Sequence, residues 1–234
     1  MKTNQEFKRE ALDALRGNWG KAFLATLIFA LIAALIQGPS SVYGMRQQDS
    51  LQSLITYGDT AGLLSLYGNL LRISGASFLA MLLIYNPLAV GYQNAFRLLL
   101  SGNNDLPHNM FSLALKNYWH KVLGMLWVSI LISLWALLLV VPGIIKAFSY
   151  AMTPYILEEN PELSASEAIH RSRFMMRGHK FDLFWLYLGF LGWFLLCLLT
   201  AGIGFLWLAP YMEAAQAAFY QDVKADYELH GGLN

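Results

Sequence analysis

Long apolar stretches alternate with short polar ones along the whole chain. The apolar runs cover about 22–36, 73–100, 122–141, 144–157, 183–200 and 203–220. Runs of this kind read as helices crossing a bilayer, because a span needs roughly 20 residues at 1.5 Å rise each. Several fall short of that length and need flanking aromatic or snorkelling residues to complete the crossing. Val141-Pro142-Gly143 separates the third run from the fourth, and Ala201-Gly202-Ile203-Gly204 separates the fifth from the sixth. Both sequences stop helices and reverse the chain. The pattern therefore predicts six spans paired as three helical hairpins, with a polar outer loop over 38–72.

Each hairpin is preceded by a segment that is apolar on one helical face only. Phe7, Ala11, Ala14 and Leu15 share a side, with Lys8, Arg9, Asp13 and Arg16 largely off it. Phe111, Ala114, Leu115 and Tyr118 repeat the spacing, as do Ala168, Ile169, Ser172, Met175 and Met176. Ser164-Ala165-Ser166-Glu167 is a capping box that starts the last of these helices. Helices with such faces suit the surface of an anionic inner leaflet.

The chain also matches itself. Trp19-Gly20-Lys21, Trp119-His120-Lys121 and Gly178-His179-Lys180 each stand just before an ascending run. Lys121 and Lys180 precede the turn glycines Gly143 and Gly202 by the same interval. In the descending runs, Pro87-x5-Gln93-x-Ala95-Phe96 matches Pro210-x5-Gln216-x-Ala218-Phe219, and Pro154 with Asn160 repeats its first half. We read a single all-α, polytopic membrane domain over 1–234, made of three parallel units of approximately 5–100, 109–160 and 164–222.

Composition agrees with a membrane chain. Apolar residues make up 56 % and charged residues 13 %, with mean hydropathy +0.43. These values exclude a disordered tail and a nucleic-acid binder that works through basic charge, and the net charge is only +1. One cysteine, Cys197, permits neither an internal disulfide nor a Cys-rich metal site. Most Lys and Arg fall in 1–21, 97–121 and 158–182, against Arg46, Arg72 and Lys146 on the segments assigned outside. That asymmetry puts both termini in the cytoplasm.

The pattern Ala11 to Trp19 is joined by Thr153-Pro154-Tyr155-Ile156-Leu157, Asn160-Pro161, Ser166-Glu167-Ala168-Ile169, Gly178-His179-Lys180, Gly202-Ile203-Gly204 and Pro210-Tyr211. On these residues the chain resembles the bacterial integral-membrane family catalogued as domain of unknown function 975. The resemblance implies a multi-pass protein of the bacterial cytoplasmic membrane, and it brings no activity or site residues with it.

Catalytic patterns are missing from the sequence: there is no His-Glu-x-x-His helix, no phosphate-cradling Gly-rich loop and no Gly-x-Ser-x-Gly elbow. No catalytic residue, metal ligand or cofactor is expected. Ionisable groups inside spans are the better functional candidates, since a charge in hydrocarbon is expensive. Glu213, Gln216, Gln93 and Asn86 make one candidate set, either a polar intramembrane site for a cation, proton or headgroup, or a structural acid hydrogen-bonded between helices. Lys21, Lys121, Arg171, Arg173, Arg177, His179 and Lys180 make a second set, expected to contact lipid headgroups. Glu158 and Glu159 are expected to be solvated at the inner end of the fourth span. The expectation is a non-enzymatic component that binds the bilayer's anionic lipids or a partner membrane protein, and no nucleic acid. The alternative is a small transporter or channel centred on Glu213.

Overall fold

A computed structural model describes residues 2–230, and its elements are all helical, with no strand among the described residues. The Arg46 side chain, counted above among the outer charges, and the carboxy-terminal Asn234 lie outside what is described.

Helix α1 spans Asn4–Leu15 and opens with a capping box between Thr3 and Glu6. Phe7, Ala11 and Leu15 are fully buried on its predicted apolar face. Helix α2 spans Trp19–Tyr57 and α3 spans Thr60–Ala80. The predicted outer loop over 38–72 is therefore not a loop. Helix α2 continues through Pro39, turns at Gly58 in the left-handed region (φ 68°), and Asp59 caps the start of α3 by accepting from the Gly62 amide at 2.9 Å. Leu, Met, Gln and Arg are good helix formers, and polar character alone does not break a helix. At 1.5 Å per residue α2 is about 58 Å long, roughly twice a hydrocarbon core.

A π-helical turn, Met81–Tyr85, joins α3 to α4, Asn86–Leu100, with Pro87 in the first turn of α4. Helix α5, Leu106–Leu115, doubles back along α4. A Cβ at Gly91 would lie against the Met110 carbonyl and 2.8 Å from the Ala114 amide, so only glycine admits this approach. The buried face of α5 is accordingly Leu106, Asn109, Met110 and Ala114, while the predicted Phe111 and Leu115 are exposed.

Helix α6, Tyr118–Leu138, and α7, Val140–Tyr150, reverse at the extended residue Leu139 rather than at Pro142-Gly143. Pro142 sits in the first turn of α7, where a missing amide is tolerated. Helix α8 spans Thr153–Glu159, and α9 spans Ala165–Met175 behind the predicted Ser164–Glu167 capping box. Helices α10, Lys180–Leu188, and α11, Leu191–Leu199, are separated at Gly189-Phe190, where the Lys8 ammonium donates to the Gly189 carbonyl at 2.6 Å. Helix α12, Phe205–His230, closes the fold with Pro210 inside it.

The core gathers where α1 packs on α12, α5 on α4 and α9 on α8. Phe7 meets Phe219 edge-on at 5.4 Å, and Tyr155 stacks on Tyr220 at 4.5 Å. The apolar faces of α1 and α9 are thus covered by protein, where the sequence predicted a lipid surface. An amphipathic stripe does not specify which apolar partner covers it.

Five stretches among the described residues are long and apolar enough to cross a membrane: Trp19–Tyr43, Thr60–Leu100, Tyr118–Leu138, Val140–Glu159 and Lys180–Leu199. Outside the core, Leu35, Leu64, Leu137 and Leu199 are each at least 75 % exposed, a pattern suited to hydrocarbon and costly in water. Helix α12, predicted as a sixth span, is not among the five. Pro210, Glu213 and Gln216 interrupt its apolar run, and its residues Ala214 to Tyr220 are sheathed by neighbouring helices.

Candidate functional site

A cleft of about 900 Å³ opens between α9 and the end of α12. Arg171, Arg177, His170 and His179 supply its basic lining, Glu167 and Asp226 its acidic lining, and Phe174, Met175 and Tyr227 its apolar wall. Helix α9 presents Arg171 because Ala168, Ile169, Ser172 and Met175 turn inward, with the Ser172 hydroxyl donating to the Ser149 carbonyl at 3.0 Å. The Arg171 guanidinium donates to Asn160 Oδ1 at 2.8 Å and lies 5.6 Å from the Tyr227 ring, while its buried Nε has no partner among the described residues. Arg177 lies 3.8 Å over the Phe174 ring. His179 stands between Asp182 at 3.5 Å and Asp226 at 3.3 Å. At the mouth, Ser164 holds the Glu167 carboxyl below the usual carboxylate range, through its hydroxyl and its amide.

Three of the seven predicted headgroup residues, Arg171, Arg177 and His179, therefore converge on one cleft. Lys21 is exposed at the start of α2, apart from it. Arg173 and Lys180 lie instead within electrostatic reach of Lys146, the lysine that the charge pattern had assigned outside; α9 packs across α7 and brings them together.

Lys121 is a correction. It is fully buried and ion-paired with Glu158, and it donates to the carbonyls of Leu113 and Lys116, the latter at 2.5 Å. Glu158, expected in solvent, is 5 % exposed. A buried ammonium must find acceptors within the protein, and the α5–α6 turn supplies the two carbonyls. Nearby, Glu159 accepts from Tyr220 at 2.6 Å and pairs with Lys224 at 2.7 Å and Arg97 at 2.9 Å. Arg97 also donates to Asn94 Oδ1 at 2.9 Å, and the Asn94 amide donates to the Pro154 carbonyl at 3.0 Å. This network ties α4, α8 and α12 together. Sequence reasoning missed it because its partners stand 60 or more residues apart; the only local sign was the pair Glu158-Glu159 at a helix end.

The intramembrane set divides. Gln216 accepts from the Tyr187 hydroxyl at 2.6 Å, and Glu213 lies one turn before it. Glu213 is within electrostatic reach of Tyr85, Tyr92, Tyr155 and Tyr187. The buried Glu213 Oε2 and Gln93 Oε1 have no hydrogen-bond partner among the described residues. Asn86 does not join them. It lines a separate groove of about 650 Å³ with Phe78, Met81, Leu126 and Ser129, on the side of α4 that faces α6.

No curated protein and no solved structure matches the chain. A family model does match, over residues 109–227, a stretch that contains the cleft, Glu158, Glu159 and Glu213 but neither Gln93 nor Asn86. The chain belongs to the family described as Protein of unknown function (DUF975).

Proposed function

We propose that this protein is a non-enzymatic integral component of the bacterial cytoplasmic membrane that binds the phosphate-bearing headgroup of an anionic lipid in the α9–α12 cleft. The observation that carries the reading is the convergence of Arg171, Arg177, His170 and His179 beside Phe174, Met175 and Tyr227. Guanidinium groups suit phosphate because their fork of donors matches its oxygens, and the apolar wall suits the adjoining glycerol and acyl chain. The cleft adjoins Lys180, the first residue of an apolar stretch that ends at Leu199. That position supports a site near the level where headgroups begin.

The same reading takes the chain as three consecutive units, with both termini in the cytoplasm and α12 as the protein-covered sixth span. Three relations support it: α5 follows and packs on α4, α9 follows and packs on α8, and α1 packs on α12 as though it followed it. A three-unit ring about an axis along the membrane normal has this closure.

Titration of the detergent-solubilised protein with short-chain phosphatidylglycerol and phosphatidylcholine tests the site. We expect the anionic lipid to bind more tightly, less so as salt rises, and at least tenfold more weakly to Arg171→Gln/Arg177→Gln. Equal binding of the two lipids, or binding unchanged in the variant, would overturn the proposal.

A further inference from the structure

A second cavity, of about 550 Å³, opens where α1 and the start of α2 meet α11 and α12. Four aromatic side chains from three helices line it: Trp19 of α2, Trp193 of α11, and Trp207 and Tyr211 one turn apart on α12. Three of the chain's seven tryptophans are thus gathered at one place. Two of the rings are held by neighbours, since Trp207 packs on Phe23 at 4.9 Å and Tyr211 meets Phe190 edge-on at 5.0 Å. Thr200 fixes the turn between α11 and α12, where its hydroxyl accepts from the Gly204 amide at 2.9 Å and donates to the Cys197 carbonyl at 2.8 Å. A Cβ at Gly204 would lie 2.8 Å from Cys197 Sγ and 3.1 Å from Cys197 Cα, so glycine lets α12 start close enough to α11 for Trp193 and Trp207 to share the cavity. Trp193 and Trp207 are both exposed, which leaves the cavity accessible, and its volume falls within the roughly 300–1,000 Å³ of small-molecule sites.

We propose that this cavity binds a small organic cation that carries a quaternary ammonium group and no acidic group. The face of an aromatic ring is electrostatically negative, and tryptophan offers the best such face to a cation. A quaternary ammonium has no N–H to donate, so ring faces serve it where hydrogen-bond acceptors do not. The rest of the lining agrees: Leu12, Leu196 and Leu208 are walls for alkyl groups, and no Lys, Arg, Asp or Glu lines the cavity among the described residues. With no carboxylate present, the rings are what attracts the charge. With no Lys or Arg present, an attached phosphate would be left without a partner, which separates this ligand from a phospholipid headgroup. The protein's own cations leave these four rings open, since the cation–ring contacts among the described residues fall on Phe190, Trp135, Tyr227 and Phe174. The first of these is adjacent: the Lys8 ammonium lies 4.3 Å from the centre of the Phe190 ring, the ring that meets Tyr211. An acyl chain gains nothing from ring electrostatics and would be served equally by leucine at the tryptophan positions. The cavity shares no lining residue with the α9–α12 cleft, and neither reading rests on the other.

Tryptophan fluorescence of the full chain in a maltoside detergent, titrated at constant ionic strength with choline and with its neutral isostere 3,3-dimethylbutanol, tests the proposal. Choline should shift the signal saturably, and the neutral isostere, which has the same shape without the charge, should bind at least about tenfold more weakly. Trp193→Leu keeps an apolar wall at an exposed position, so it should fold, bind choline about tenfold more weakly and leave the weak response to the isostere unchanged. Short-chain phosphatidylcholine should not displace choline. Equal binding of the two probes, or choline binding unchanged in Trp193→Leu, would contradict a cation site and leave a plain apolar cavity. Displacement by phosphatidylcholine would move the site to a lipid headgroup and contradict a free organic cation.

Discussion

The hydroxyl of Tyr118, at the start of α6, donates to the carbonyl of Leu83 in the π-helical turn before α4. Leu83 stands four residues before Pro87, so its carbonyl is the one whose helical amide partner proline removes. The carbonyl that proline leaves without an amide is thus stitched to the start of α6. Tyr118→Phe should destabilise the protein by about 1–3 kcal/mol, the usual cost of leaving a buried carbonyl unmatched. In a Pro87→Ala background the same substitution should cost less, because the amide of alanine fills the carbonyl. Thermal unfolding of the four proteins of this cycle checks both statements.

The buried pair of Lys121 and Glu158 yields an asymmetric prediction. Lys121→Met leaves a carboxylate 5 % exposed whose remaining ion pair among the described residues is with Lys116 at 3.9 Å. Removing one member of a buried pair costs about 3–5 kcal/mol, whereas replacing both with apolar residues is often near neutral. We expect Lys121→Met/Glu158→Leu to unfold closer to the wild-type temperature than either single variant. Additive losses would mean that the pair is not coupled as the geometry indicates.

Acid should act on the helix starts. The Thr3 amide and hydroxyl hold the Glu6 carboxyl below its usual value of 4.5, and Ser164 does the same for Glu167. A carboxyl lowered in the folded state contributes stability above its unfolded value, and that contribution is lost as pH falls through the folded value. Amide hydrogen exchange in the first turns of α1 and α9 should therefore speed up as pH drops below about 4.5, after correction for intrinsic rates. Glu6→Gln and Glu167→Gln should flatten the dependence at their own helix and leave the other unchanged.

Much of the architecture was legible because apolar periodicity reports helices directly. The inward faces of α1 and α9 followed from Phe7, Ala11 and Leu15, and from Ala168, Ile169, Ser172 and Met175. What periodicity could not specify was the partner. The same stripe that suits a lipid surface suits α12 or α8, and the structure pairs it with those helices. Lys121 illustrates a second limit: a basic residue ahead of an apolar run looks interfacial until a distant acid such as Glu158 is folded onto it. The stretch 38–72 misled for a third reason, since its Gly, Ser and Gln content resembles a loop while its propensities sustain a helix. Of the seven basic residues grouped by sequence, Arg171, Arg177 and His179 line one cleft, because they lie on one short segment that the fold keeps together.

Topology is tested where α2 turns into α3. A reporter inserted at the Gly58-Asp59 turn and another fused after Asn234 should lie on opposite sides of the membrane. Identical sidedness would contradict the three-unit arrangement proposed above.

The most direct test of the headgroup reading is native mass spectrometry of the protein extracted gently from its own membrane. The account predicts a bound anionic phospholipid on the wild-type protein, and loss of most of that adduct in Arg171→Gln/Arg177→Gln. An adduct population equal in both proteins, or none on the wild type, would contradict a headgroup site between α9 and α12.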